Sequence, residues 1–201
     1  MYGAGRRRLV DTLNLHQGQQ VLDIGCGTGL NFPLLQQRVS ASGIIVGIDR
    51  SNQMLKQARN KALRRGWSNV ILIQADATTA AASDVAAEVI HAGGRPLSDV
   101  GLATYALSLM ENWGQAFRLM WQLTDPQAQL GIVDMQRPTG LSSLWSPLAA
   151  AACWLGGADI EAHPWTVLER DCAQLRSASS RGGHLQIRAG VKPPAGGRGG
   201  R

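Results

Sequence analysis

Val21-Leu22-Asp23-Ile24-Gly25-Cys26-Gly27-Thr28-Gly29-Leu30 joins a short apolar run to a turn with glycine at every second position. The apolar run is bounded by glycine and is too short for a helix, so it reads as a buried strand. Glycine adopts positive φ without steric cost and lets the backbone approach another group closely. From Asn31 the residues return to helical spacing. The segment is therefore a strand, a glycine turn and the start of a helix. In an open α/β sheet a ligand sits where such a strand ends, at its carboxyl edge.

The same rhythm runs outward in both directions. Residues 5–15 carry Leu9, Val10, Leu13 and Leu15 near helical spacing before the strand at 21–24. Residues 31–37 form a helix, and 44–48 form a second strand closed by Asp49. Ser51 suits the cap of a helix over 52–65, which ends near Gly66. Strands at 70–73 and 99–104 flank a helix over 80–91. A helix over 111–123 ends before an Asp125-Pro126 turn, and a fifth strand covers 130–135. Alternating strands and helices give a doubly wound parallel sheet. The strands are mostly apolar rather than alternating, as expected when helices cover both faces. Beyond Pro138 the pattern predicts a helix over 165–175. A terminal hairpin of 176–181 with 184–189 follows, across Gly182-Gly183.

Length and composition bound the class. The 201 residues suit a single domain, with 44% hydrophobic and 17% charged residues. The three cysteines, Cys26, Cys153 and Cys172, form no CxxC pair, which predicts reduced thiols and a cytoplasmic protein. No run approaches the roughly 18 apolar residues of a membrane span, and residues 1–8 lack the apolar segment expected of a secretory signal. The net charge of +6 is held at the ends, by Arg6, Arg7 and Arg8 and by Lys192, Arg198 and Arg201. Residues 9–190 are neutral overall, which argues against a nucleic-acid enzyme.

The glycine turn favours a nucleotide but not a dinucleotide. A dinucleotide turn needs G-x-G-x-x-G/A, whereas here the spacing is G-x-G-x-G, with Leu30 at the final position. Asp23 precedes the turn. A carboxylate is unhelpful beside a pyrophosphate and helpful beside an ammonium and a sulfonium. Both details favour S-adenosylmethionine. The bland alternative is a tight strand–helix turn without a ligand.

With these residues in place, the chain resembles the class I S-adenosylmethionine-dependent methyltransferase family, in its quinone-biosynthesis and phospholipid N-methyltransferase branch. The resemblance rests on D-x-G-C-G-T-G at 23–29. It implies an α/β, Rossmann-like fold: a mostly parallel seven-stranded sheet with an antiparallel C-terminal hairpin. It implies cofactor contacts at Asp23, Gly25, Cys26, Gly27, Thr28 and Gly29. Asp49 would accept both ribose hydroxyls, which suits a carboxylate bottom-up as well; its alternative is a solvated or capping Asp. Arg50 and Met54 would line the adenine, Met54 being equally a core candidate. Asp76 and the Ala77 N–H would bind the adenine edge; the alternative for Asp76 is a turn aspartate. Thr104 and Tyr105 would border the transferable methyl, together with the run Leu107-Ser108-Leu109-Met110 and Trp113. The likeness is carried by residues 5–136 and weakens over 137–190.

The family usually has one or two more helices ahead of the position of Tyr2, so the N-terminal cap is expected to be short or missing. The domain is expected over 1–190, with a flexible basic tail over 191–201. No catalytic residue is identified. His163 is the best candidate base, its alternative being a turn histidine before a helix. Asp134 is either structural or functional. No metal is expected, because no His/Cys/Asp cluster has ligand spacing. Residues 141–156 are strongly apolar, through Leu141, Leu144, Trp145, Leu148, Trp154 and Leu155. Burial, a homodimer interface or a hydrophobic or lipid-like acceptor would each account for them. Peripheral membrane contact through the basic ends is a further expectation.

Overall fold

A computed structural model describes residues 3–135, 163–180 and 184–194. Its seven strands are β1 (Gln20–Ile24), β2 (Ile44–Asp49), β3 (Val70–Gln74), β4 (Ser98–Thr104), β5 (Thr124–Met135), β6 (Ala173–Ser180) and β7 (Leu185–Val191). They form one sheet in the order β3-β2-β1-β4-β5-β7-β6. The first five are parallel, and β7 runs antiparallel to both β5 and β6. The expected doubly wound sheet with a C-terminal hairpin is therefore present. The strand order reverses between β1 and β4, which opens a crevice at their carboxyl ends.

Among the described residues, six α-helices cover the sheet: α1 (Gly3–Thr12), α2 (Phe32–Val39), α3 (Asn52–Arg64), α4 (Ala82–His91), α5 (Trp113–Gln122) and α6 (Thr166–Asp171). Alternate strand residues feed two cores. Val21, Ile45, Val100 and Leu102 pack with Leu9, Phe32, Leu35 and Leu55 from α1, α2 and α3. Leu22, Val46, Ile48 and Ile71 pack on the opposite face with Val85, Phe117, Met120 and Leu168 from α4, α5 and α6. Double-sided burial is why the strands read as continuous apolar runs. Gly131 lets α1 lie close to β5, since a Cβ there would meet Leu9 at 2.8 Å. Among the described residues, no helix is long and apolar enough to cross a membrane.

Local sequence sets several boundaries as expected. The Ser51 hydroxyl accepts from the Met54 N–H at 3.3 Å and caps α3. Gly66, at φ +67°, ends that helix. Three boundaries differ from expectation. The helix foreseen over 165–175 stops at Asp171, because Ala173 pairs with Val191 and Arg176 with Ala189 in the hairpin. Strand pairing outweighs local helical preference there. The Asp125-Pro126 turn is instead part of β5, at a register shift between Ser98 and Val100 that tolerates a residue without an N–H. Val191 and Lys192, expected in the tail, belong to the folded part. Val191 pairs with Gln129, and the Lys192 ammonium donates to the Trp121 and Thr124 carbonyls, each at 2.6 Å. The apolar stretch 141–156 and Cys153 lie outside the described residues.

Candidate functional site

The glycine turn after β1 takes the shape its composition predicts. Gly25, Gly27 and Gly29 have φ of +65°, +55° and +68°. A Cβ on Gly25 would meet Ala106 at 2.5 Å, and one on Gly29 would meet the Phe32 ring at 2.5 Å. A Cβ on Gly27 would meet nothing within 4 Å. Gly27 lines an open cavity of about 530 Å³, a volume in the range of small-molecule sites. The cavity lies at the carboxyl ends of β1, β2, β3 and β4.

Each strand end contributes to its wall. Gly25, Cys26, Gly27 and Thr28 follow β1; Asp49, Arg50 and Met54 follow β2; Asp76 and Ala77 follow β3; Thr104 and Tyr105 follow β4. The sequence placed all of these in one site, and the structure brings them together. Neighbouring strands lie about 4.8 Å apart. Asp76, Asp49, the glycine turn and Thr104 thus succeed one another across the sheet in the order β3-β2-β1-β4.

The two exposed-edge acids are preset by backbone donors. Asp49 Oδ2 accepts from the Gly27 N–H at 2.8 Å, and Oδ1 accepts from the Ser51 N–H at 2.9 Å. A carboxylate offers about four lone-pair positions, so about two remain for a ligand. Asp76 Oδ1 accepts from the Thr78 N–H at 2.9 Å and the Thr78 hydroxyl at 2.6 Å. The bonds from Thr78 hold Asp76 below the usual carboxylate range. Both turn and ligand readings of Asp76 are thus served by one geometry.

Asp23 corrects the expectation of direct ligand contact. It is fully buried, at 0% exposure, and does not line the cavity. Both of its oxygens accept from the Asn31 amide, at 3.0 and 2.9 Å. Burial pushes the Asp23 carboxyl up to about 7, against the opposing pull of Asn31 and the Arg6 charge. Asn31 stands at the N-cap of α2, yet makes no cap hydrogen bond. Its side chain serves Asp23 instead, and also donates to Thr104 Oγ1 at 3.0 Å. Gly29 likewise lies off the wall and serves close packing against Phe32.

Sequence reasoning missed Arg6. In sequence it is one member of a basic triplet; in the structure it is half-buried and lines the cavity. Arg6 Nη1 donates to Asn31 Oδ1 at 3.1 Å and to Thr104 Oγ1. Its guanidinium lies over the Tyr105 ring at 5.2 Å. Only the fold, which lays α1 over β5 and β7, could reveal it. Leu30, Leu109 and Met110 also join the wall, the last two from the run noted around Ser108.

Other candidates lie outside the cavity. The His163 ring packs against Trp165 at 5.2 Å, and its carbonyl accepts from Thr166 at the start of α6, so it behaves as a turn residue. Asp134 is buried and accepts from the Ser108 N–H at 3.0 Å, the Ser108 hydroxyl at 2.6 Å and the Met135 N–H at 2.9 Å. It ties the turn after β4 to β5, a structural role. Trp113 begins α5 and is not on the cavity wall.

Comparison with known proteins gives the family and the fold. A family described as a methyltransferase domain matches residues 15–160. Aklanonic acid methyltransferase DauC of Streptomyces sp. (strain C5) is 41% identical over 73 residues, 36% of this chain and 33% of that protein. Demethylmenaquinone methyltransferase of Listeria monocytogenes is 25% identical over 133 residues, 66% of this chain and 52% of that protein. The chain thus spans about a third to a half of the length of these relatives. The crystal structure of a SAM-dependent methyltransferase from Aquifex aeolicus superposes with a TM-score of 0.62 at 17% identity, covering 93% of this chain and 89% of that one.

Proposed function

The chain belongs to the methyltransferase-domain family, and from that premise we propose that it transfers the methyl group of S-adenosylmethionine to a small, hydrophobic or lipid-like acceptor. The observation that carries this reading is the row of groups across the carboxyl ends of β3, β2, β1 and β4. Asp76 and the Ala77 N–H suit an adenine edge. Asp49, with two lone-pair positions left after its backbone bonds, suits a vicinal diol. At Gly27 a side chain would occupy cavity space, so the cradle depends on its absence.

When bound, the cofactor supplies a methyl group on an already reactive sulfonium. The protein's own contribution is then orientation, which can lower a barrier by about 7–11 kcal/mol in favourable cases. A base is required only for an acceptor that still holds a proton. The acceptor class is supported by apolar side chains at the cavity. Leu30 and Leu109 line it and are 55% and 47% exposed. The relatives named for aklanonic acid and demethylmenaquinone fit the same class.

Calorimetric titration with S-adenosylmethionine, S-adenosylhomocysteine and NAD tests the proposal. Micromolar binding of the first two without NAD is expected. A well-folded chain that binds neither, or that binds NAD instead, overturns it.

A further inference from the structure

Residues 50–75 hold six basic side chains and no acid, although residues 9–190 are neutral overall. Five of the six lie on α3 and at its C-cap: Lys56, Arg59, Lys61, Arg64 and Arg65. Leu55, Ala58 and Ala62 are buried against the sheet at helical spacing, so the basic positions point away from it. Lys61 is the exception. It is half-buried and donates to the Thr28 and Gly29 carbonyls at 2.6 and 3.1 Å, bracing the glycine turn. The other four are exposed, and among the described residues none of them forms an ion pair. Lys56 with Arg59, and Lys61 with Arg64 and Arg65, are like-charged neighbours at three- and four-residue spacing, which destabilises the helix by itself. An anionic partner turns that repulsion into attraction.

The wider face has the same sign. α1, α2 and α3 pack on one side of the sheet. They carry one acid, Asp11, which is already paired with Arg38 at 2.6 Å. The helices on the other side are acidic in sum: α4 carries Asp84 and Glu88, α6 carries Glu169, Arg170 and Asp171, and α5 carries Arg118. The sheet thus separates charge, and the α3 side presents a positive field to any anionic surface. Two observations select lipid among anionic partners. Leu63 is 72% exposed and follows Lys56 by seven residues and Arg59 by four, so it shares their face. An apolar side chain set among cations matches headgroup phosphates set around an acyl boundary. Base stacking, by contrast, needs exposed aromatic rings, and among the described residues no Trp, Tyr or Phe is exposed.

We propose that the outer face of α3 docks onto an anionic lipid membrane, with Lys56, Arg59, Arg64 and Arg65 meeting headgroup phosphates and Leu63 entering the acyl boundary. The 13 residues of α3 make a contact strip about 20 Å long. Met54, in the first turn of α3, belongs to the cavity wall, so docking brings the cavity mouth beside the lipid surface. The docking surface goes beyond the proposed methyl transfer and does not depend on it. Only the use of this placement, entry of a lipid-like acceptor from the bilayer, rests on that reading.

Co-sedimentation of the full chain with vesicles tests it, using phosphatidylcholine alone and phosphatidylcholine mixed with phosphatidylglycerol. Preference for the anionic vesicles, weakened by salt, is expected. A basic residue near such a surface contributes about fivefold in affinity, so the double variant Lys56→Gln/Arg59→Gln should bind about twentyfold or more weakly. Leu63→Gln should bind about fivefold or more weakly through lost apolar burial. These side chains are exposed, and thermal melting checks that each variant stays folded. Arg198→Gln/Arg201→Gln, at the basic end of the chain, should keep most of the binding. Equal binding of both vesicle types, or binding of neither, overturns the proposal. So does undiminished binding by the folded α3 variants, or loss confined to the Arg198→Gln/Arg201→Gln variant, which would assign the contact to the chain end. Poly-uridylate is the competing probe: a wild type that binds it and not the anionic vesicles has a nucleic-acid surface instead. Vesicle binding is read without cofactor, so its failure leaves the methyl-transfer reading standing, and the failure of cofactor titration leaves this one.

Discussion

Replacing Asp49 with Ala probes the middle of the site most directly. The carboxylate makes two bonds to backbone N–H groups, Gly27 at 2.8 Å and Ser51 at 2.9 Å. Its remaining lone pairs are those assigned to the ribose hydroxyls. The substitution removes both sets. On the ligand side, loss of a charge-assisted pair of bonds is expected to cost at least about 1.5 kcal/mol, which is about tenfold or more in affinity. On the protein side, Gly27 and Ser51 lose partners at a half-buried position, at about 1 kcal/mol in stability. Asp49→Asn separates the two effects, because it retains an acceptor for one backbone donor. Calorimetry with S-adenosylhomocysteine, with parallel thermal melts, measures both quantities. An unchanged dissociation constant in a folded Asp49→Ala variant would falsify the assignment of Asp49.

Four further outcomes follow from the geometry. Asp23 has a folded-state pKa raised from 3.8 to about 7, so the folded state binds its proton more tightly than the unfolded one. Its contribution to stability is therefore most favourable below about pH 4 and is lost as pH rises towards 7, by up to about 4 kcal/mol; in Asp23→Asn this part of the pH dependence of unfolding should vanish, and identical pH profiles would refute the linkage. Gly25→Ala brings a Cβ to 2.5 Å from Ala106 at φ +65°, and should lower stability by about 2 kcal/mol or more in urea unfolding. Ser108→Ala removes the 2.6 Å bond to buried Asp134; a loss of about 1–3 kcal/mol is expected, and a neutral result would show that the network is not needed. A chain ended after Gly190 loses the Val191 pairing and the Lys192 bonds, and should melt about 5 °C below one ended after Pro194.

Much of the site could be read from local chemistry. Strand-turn-helix punctuation located Gly25, Gly27 and Thr28. An acid at the close of β2 pointed to Asp49, while Asp76 and Tyr105, after β3 and β4, were expected from the family resemblance. These work because each strand end in a doubly wound sheet points at the same crevice. Boundaries failed where distant pairing prevailed, as at Cys172, where β7 draws the chain out of the helix begun at Thr166.

The sequence by itself determined the layer order and the row of strand-end groups, since both depend on short-range periodicity and on what glycine permits. Only the tertiary structure decided how charge is arranged around that row. It placed Asp23 beneath the turn, because Asn31, eight residues on, folds back over it. It brought Arg6 out of a solvated-looking basic triplet and onto the cavity wall, against a residue 98 positions away. Such contacts are set by how α1 packs on the sheet, and no local pattern in residues 5–15 encodes them.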